Sequence, residues 1–98
     1  MMVNYRAMGQ RVRAARKRQH MTQQALAEKA DISLSFLGHI ERGTRIASVE
    51  TLVSICAALG CDLHYMVYGT YSSAQGRLEH AYNALAHLRI AVDELNKI

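Results

Sequence analysis

Residues 22–43 read TQQALAEKADISLSFLGHIERG, and the order of caps, apolar residues and turn formers in this stretch decides the fold. Thr22 carries a side-chain oxygen that can accept from the free N–H groups opening a helix over 23–30, and Ser33 can do the same for a helix ending at Arg42. Leu26, Ala27 and Ala30 share the inner side of the first helix; Leu37 and Ile40 stand three apart on the second. Only Ala30, Asp31 and Ile32 are left as turn material, too little for the two helices to lie antiparallel. Ala27 falls where they cross, so it must be small. Gly43 closes the second helix in the left-handed conformation that glycine adopts without steric cost.

Helical spacing continues on both sides. Over 4–19, Tyr5, Met8, Val12 and Ala15 form an apolar stripe, while Arg11, Arg13, Lys17 and Arg18 lie mostly off it and are expected to face water or a polyanion. Ser48 with Glu50 opens a fourth helix that Gly60 stops after Leu59, and Asp62 caps a fifth ending near Gly69. Thr70 to Ser73 reads as a short polar linker, and 74–98 as one more long helix. Proline is absent and no alternating run of strand length occurs, so the chain is all-α: a five-helix domain over 1–69, the linker 70–73 and a carboxy-terminal helix 74–98.

Composition bounds what this arrangement can do. Ninety-eight residues, half of them apolar, support one small core and not two. Twelve Lys and Arg face eight Asp and Glu, for a net charge of +4. The excess is concentrated at the amino-terminal side: residues 1–45 hold nine bases and three acids, the remainder three bases and five acids. A basic half suits phosphate. No stretch approaches the ~20 apolar residues of a membrane span, and no secretory leader pattern opens the chain, so a soluble, cytoplasmic protein is expected. Cys56 and Cys61 are too few for a disulfide framework and, even with His64, fall short of a four-ligand zinc site, so neither metal nor cofactor is expected. Ser35 and His39 share a helix face without an orienting carboxylate or oxyanion site, which argues against an enzyme.

The spacing of 23–42 is that of a helix-turn-helix. Residues 10–69 resemble the Cro and lambda-repressor type, xenobiotic-response-element-like, helix-turn-helix family. The likeness rests on Thr22-Gln23 with Leu26-Ala27, on Ile40-Glu41-Arg42-Gly43, on Glu50-Thr51-Leu52 and on Ala58-Leu59-Gly60 at their mutual spacings. The resemblance implies a five-helix lambda-repressor-like DNA-binding domain that acts as a dimeric transcriptional regulator, encoded by a prokaryotic cell, phage or mobile element. Its simplest form is a repressor reading a pseudo-palindromic operator in double-stranded DNA, with helix 33–42 in the major groove. This chain departs from the pattern with Asp31 where the turn usually has glycine, a substitution aspartate tolerates at positive φ. It also has Gly38 where the recognition helix often has a polar residue.

Leu34, Ser35, Gly38 and His39 are the expected base contacts. Ser35 and His39 lie at i and i+4, and a ring N–H of His39 can reach guanine O6 or N7, or a phosphate. Leu34 can pack on a thymine methyl or against its own domain, and Gly38 permits close approach. Phe36 fits the core first, with a place beside the DNA backbone or in a protein contact as alternatives. For the phosphates, Gln23 matches a family contact at a helix N-terminus, joined by Thr22 and Ser33 and by Arg42, Thr44 and Arg45 after the recognition helix. The resemblance also pairs Arg16 with Glu41 in a partly buried ion pair; without it they are two separate surface charges.

In the last helix Leu78, Ala81, Leu85, Leu88, Val92 and Leu95 occupy successive a and d positions of a heptad. Such a seam fits the same helix of a second protomer, giving a homodimer, or folds back on its own domain. A different protein could also cover it, as in the antitoxin of a toxin–antitoxin pair or an interaction module that keeps the fold without reading DNA.

Overall fold

The computed structural model describes residues 2–71 together with Leu78 and Leu85. Five helices follow in order: α1 (Tyr5–Arg18), α2 (Gln23–Ala30), α3 (Leu34–Arg42), α4 (Val49–Leu59) and α5 (Leu63–Tyr68); there is no strand among the described residues. Asn4, Thr22, Ser33, Ser48 and Asp62 cap them, each accepting from the backbone N–H three residues on. Helices this short are marginal in isolation, and a cap contributes about 1 kcal/mol over alanine at each start. At the other ends a left-handed residue turns the chain so that the next N–H returns to a carbonyl five residues back: Ile32 to Ala27, Thr44 to His39 and Cys61 to Cys56. Asp31 takes this conformation at φ 58° in place of the usual glycine, as the sequence reading requires.

The core gathers Met8, Val12 and Ala15 of α1, Leu26, Ala27 and Ala30 of α2, Leu37 and Ile40 of α3, Leu52, Ile55 and Leu59 of α4, and Met66 of α5. Ala47, from the loop before α4, completes it. Helix α1 holds the other elements with polar side chains. Arg11, expected to face water or a polyanion, instead donates from Nη1 to the carbonyls of Met66 (3.1 Å) and Val67 (3.2 Å). The last turn of a helix leaves such carbonyls unsatisfied and partly negative, and α5 is too short to dispense with the cation. Gln19 does the same for α4, its Nε2 lying 2.6 Å from the Leu59 carbonyl.

Two features lock α1 onto α3. A Cβ placed on Gly9 would collide with the carbonyl oxygens of Ile40 and Glu41, so the helices cross at a spacing that only glycine permits. One turn or two beyond the crossing, Arg16 grips Glu41 with both branches of its fork, Nε to Oε2 at 2.9 Å and Nη2 to Oε1 at 3.1 Å. The third branch, Nη1, donates to the Met21 carbonyl at 2.9 Å, and Gln23 Nε2 adds a bond to Glu41 Oε1 at 3.1 Å. Arg16 and Glu41 are 8 % and 6 % exposed, and no buried polar side-chain atom among the described residues lacks a partner. The pair expected from family resemblance is therefore present, bidentate and extended to α2.

After α5 the chain does not leave at once. His64 Nδ1 donates to the Thr70 carbonyl at 2.6 Å, and Tyr71 stacks on Tyr65 with centroids 4.7 Å apart. Half of the expected linker is thus held on the domain; Ser72 and Ser73 lie outside the described residues. So does the expected helix 74–98, including Ala81, Leu88, Val92 and Leu95, except for Leu78 and Leu85, which are helical and 71 % and 65 % exposed.

Arg16→Ala leaves a carboxylate buried without its cation and is expected to cost about 3–5 kcal/mol, read as a lowered Tm and denaturant midpoint. Burial, with Cys61 and Asp62 nearby, pushes the Cys56 thiol up to about 11 from 9.0. The folded state holds this proton more tightly than the unfolded chain, so this contribution to stability is complete below pH 9 and declines as pH rises toward 11. A Cys56→Val protein, compared by denaturant titration across that range, should lack this part of the alkaline decline.

Candidate nucleic-acid interface

Helix α3 owes its orientation to its inner side, where Leu37 and Ile40 are 0 % and 1 % exposed and Glu41 is tied to α1 and α2. Its other side is open. Ser33, Leu34 and Ser35 are exposed at the amino-terminal end, His39 is half-buried, and Arg42, Thr44 and Arg45 are exposed at and beyond the carboxy-terminal end. Leu34 is 47 % exposed, so much of its side chain is open to an outside partner. Phe36 is partly buried and packs against the core, the first of its three expected places.

Gly38 departs from expectation. Instead of lying open for close approach it is buried, because the Arg42 guanidinium folds over the notch left by the missing side chain; Nη1 is 3.1 Å from where a Cβ would stand. Arg42 is one turn on, on the same side of the helix, so its side chain has the reach to do this. A ligand that approached Gly38 would first have to displace the cation, which is itself a natural phosphate partner.

The anchors at the amino-terminal ends of the helices are divided. Thr22 and Ser33 spend their side-chain oxygens as caps, on Ala25 N and Phe36 N, at 3.0 Å each. The amide of Gln23 is turned toward Glu41 as a donor, which leaves its carbonyl oxygen and the free main-chain N–H groups of the α2 start for an outside partner. At the far end His39 Nδ1 lies 2.9 Å from Thr44 Oγ1, while that hydroxyl lies 3.2 Å from the His39 carbonyl as a donor. Thr44 thus serves His39 before any phosphate.

One residue of this surface escaped the sequence reading. Arg6 runs beside Gly43, whose Cβ position would be 2.6 Å from the Arg6 Cα, so an exposed cation of α1 stands at the carboxy-terminal end of α3. No spacing in the sequence signals it; only the α1–α3 crossing brings it there. Gly9 did carry a signal: a glycine within an amphipathic helix costs ~1 kcal/mol against alanine and points to close packing.

Among the described residues no group of three or more His, Cys, Asp and Glu could hold a metal, and no helix is long and apolar enough to cross a membrane.

A tightly braced helix with one side open, preceded by a short capped helix across a tight turn, is the arrangement of the helix-turn-helix proteins. The Helix-turn-helix family model matches residues 12–66, more than half of the chain, and the chain belongs to that family. It is 43 % identical over 60 residues to the immunity repressor protein of Bacillus phage phi105, a match covering 61 % of this chain and 42 % of that one, so it spans less than half of that repressor's length. To the transcriptional regulator ClgR of Mycobacterium tuberculosis it is 32 % identical over 93 residues, covering 93 % of this chain and 83 % of the regulator. Among solved structures, the P22 c2 repressor in complex with a synthetic operator superposes with a TM-score of 0.62 at 32 % identity, over 64 % of this chain and 96 % of that one.

Gly38→Ala should raise stability by up to ~1 kcal/mol, since helix propensity improves and only the flexible end of Arg42 must give way. Thermal unfolding checks this, and a loss of stability would show that the guanidinium is fixed over Gly38.

Proposed function

We propose that this chain is a sequence-specific DNA-binding regulator of transcription, most simply a repressor, that binds a pseudo-palindromic operator as a dimer. The observation that carries the reading is the division of α3: an inner side locked by the Arg16–Glu41–Gln23 network, and an outer side open along Leu34, Ser35, His39 and Arg42. A reading helix needs both, because base edges discriminate only against side chains held in register. Leu34, Ser35 and His39 are assigned to base edges; Gln23 with the α2 start, Arg42, Arg45 and Arg6 are assigned to phosphates. The relatives named above are repressors and regulators, and the P22 c2 structure contains an operator. Such a protein would act in the cytoplasm of a bacterial cell, whether the cell or a phage encodes it.

Dimerisation is assigned to the carboxy-terminal seam. Leu78 and Leu85, seven residues apart, are both open to solvent, as a and d residues awaiting a partner are. Two-fold symmetry would set the two recognition helices on half-sites about 34 Å apart.

Selection of bound sites from random duplex DNA tests the reading. An enriched palindrome with that half-site spacing is expected, with affinity falling at a log–log salt slope near ~−7 if about eight phosphates are neutralised. No enrichment at low salt would reduce the chain to an interaction module. The double variant Leu78→Glu, Leu85→Glu should remain folded, sediment as a monomer and lose operator affinity by on the order of 100-fold.

A further inference from the structure

The hydroxyl of Thr44 has one hydrogen and two neighbours. It lies 3.2 Å from the His39 carbonyl oxygen and 2.9 Å from His39 Nδ1. Both contacts can be hydrogen bonds at once in only one way: the hydroxyl hydrogen goes to the carbonyl, which can only accept, and its lone pair takes an N–H at Nδ1, whereas a hydroxyl donating to Nδ1 would leave the carbonyl contact without a hydrogen. The arrangement is stiff, because the Thr44 main-chain N–H also bonds the His39 carbonyl, at 3.0 Å, as part of the turn that Gly43 makes at the end of α3. Residue 44 is thus fixed by the same residue whose ring it orients.

We infer that Thr44 is a positioning residue for base recognition: it holds neutral His39 in the Nδ1–H form, so that Nε2 meets the major groove as a hydrogen-bond acceptor. This rests on the reading of His39 as a base contact and changes its consequence. The sequence alone suggests a ring N–H aimed at guanine. With the proton held at Nδ1, the outward nitrogen instead matches the amino groups of adenine (N6) and cytosine (N4), and it opposes guanine O6 and N7 and thymine O4, which are acceptors themselves. The choice of hydroxyl at residue 44 therefore determines which bases residue 39 admits, although Thr44 itself need not touch DNA. Histidine commonly has its free nitrogen defined by the bond its other nitrogen makes.

The test has one arm without DNA and one with it. In long-range proton–nitrogen correlation spectra of the full chain at pH ~8, His39 should show its proton on Nδ1, the ring being identified by its loss in His39→Gln. Thr44→Ser should keep that form, and Thr44→Val should move the proton toward Nε2 while the amide spectrum stays that of the folded chain. In site selection at the same pH, the native chain and Thr44→Ser should prefer adenine or cytosine by about tenfold at one position of each half-site, and Thr44→Val should lose or invert that preference. A native ring protonated at Nε2 overturns the inference, as does a guanine preference in the native chain, or a Thr44→Val protein with unchanged ring form and unchanged base preference. A wrong ring form leaves DNA binding untouched and sinks this inference alone, whereas failure to select any sequence sinks the proposed function and this inference with it.

Discussion

The contact between Arg16 and Glu41 is the constraint on which the rest depends. It joins the first helix to the third, recruits Gln23 from the second, and leaves neither charge exposed by more than a tenth. A buried ion pair adds little net stability over a well-packed apolar pair, because desolvation offsets most of the attraction. What it supplies is direction. A guanidinium fork matches a carboxylate in one relative orientation, so α3 cannot roll about its axis without breaking two parallel bonds. An apolar contact at the same place would tolerate such a roll, and a roll of one residue's worth, about 100°, would turn Ser35 and His39 away from any groove they were meant to enter.

The fold was legible in the sequence because its punctuation is local. Thr22, Ser33, Ser48 and Asp62 announce helix starts through bonds that span three residues, and Gly43 and Gly60 announce ends through a backbone conformation that needs no tertiary partner. Even Asp31, where glycine is usual, could be placed, since aspartate is among the residues that reach positive φ at modest cost. The core followed from helical spacing, with Ala47 missed because a loop residue has no periodicity to betray it.

The candidate site was less legible, for one reason that recurs. A long polar side chain has several partners within reach, and the sequence does not rank them. Arg11 sits off the apolar stripe and reads as a solvated cation, yet the exposed carbonyls of α5, more than fifty residues on, claim it. Arg42 reads as a phosphate contact and does lie on the open side, but in the free chain it rests on Gly38, which had been read as open. Thr44 reads as a phosphate donor and is occupied with His39. In each case the partner within the chain depended on which helix ends the fold brings together. The Arg16–Glu41 pair was the exception only because resemblance to a family supplied what spacing could not.

The use of Arg11 and Arg16 as internal fasteners also alters the electrostatic shape of the molecule. Both contribute fully to formal charge, but Arg16 is neutralised by a buried carboxylate and projects little field into solvent, whereas Arg11 keeps its charge and is drawn toward the end of α5. Among the described residues the other cations are Arg6, Arg13, Lys17, Arg18, Lys29, Arg42 and Arg45, all at the surface. A polyanion drifting past would therefore sense a potential sculpted by placement rather than by the arithmetic of bases and acids, and encounter rates would track where the open cations stand more closely than the isoelectric point.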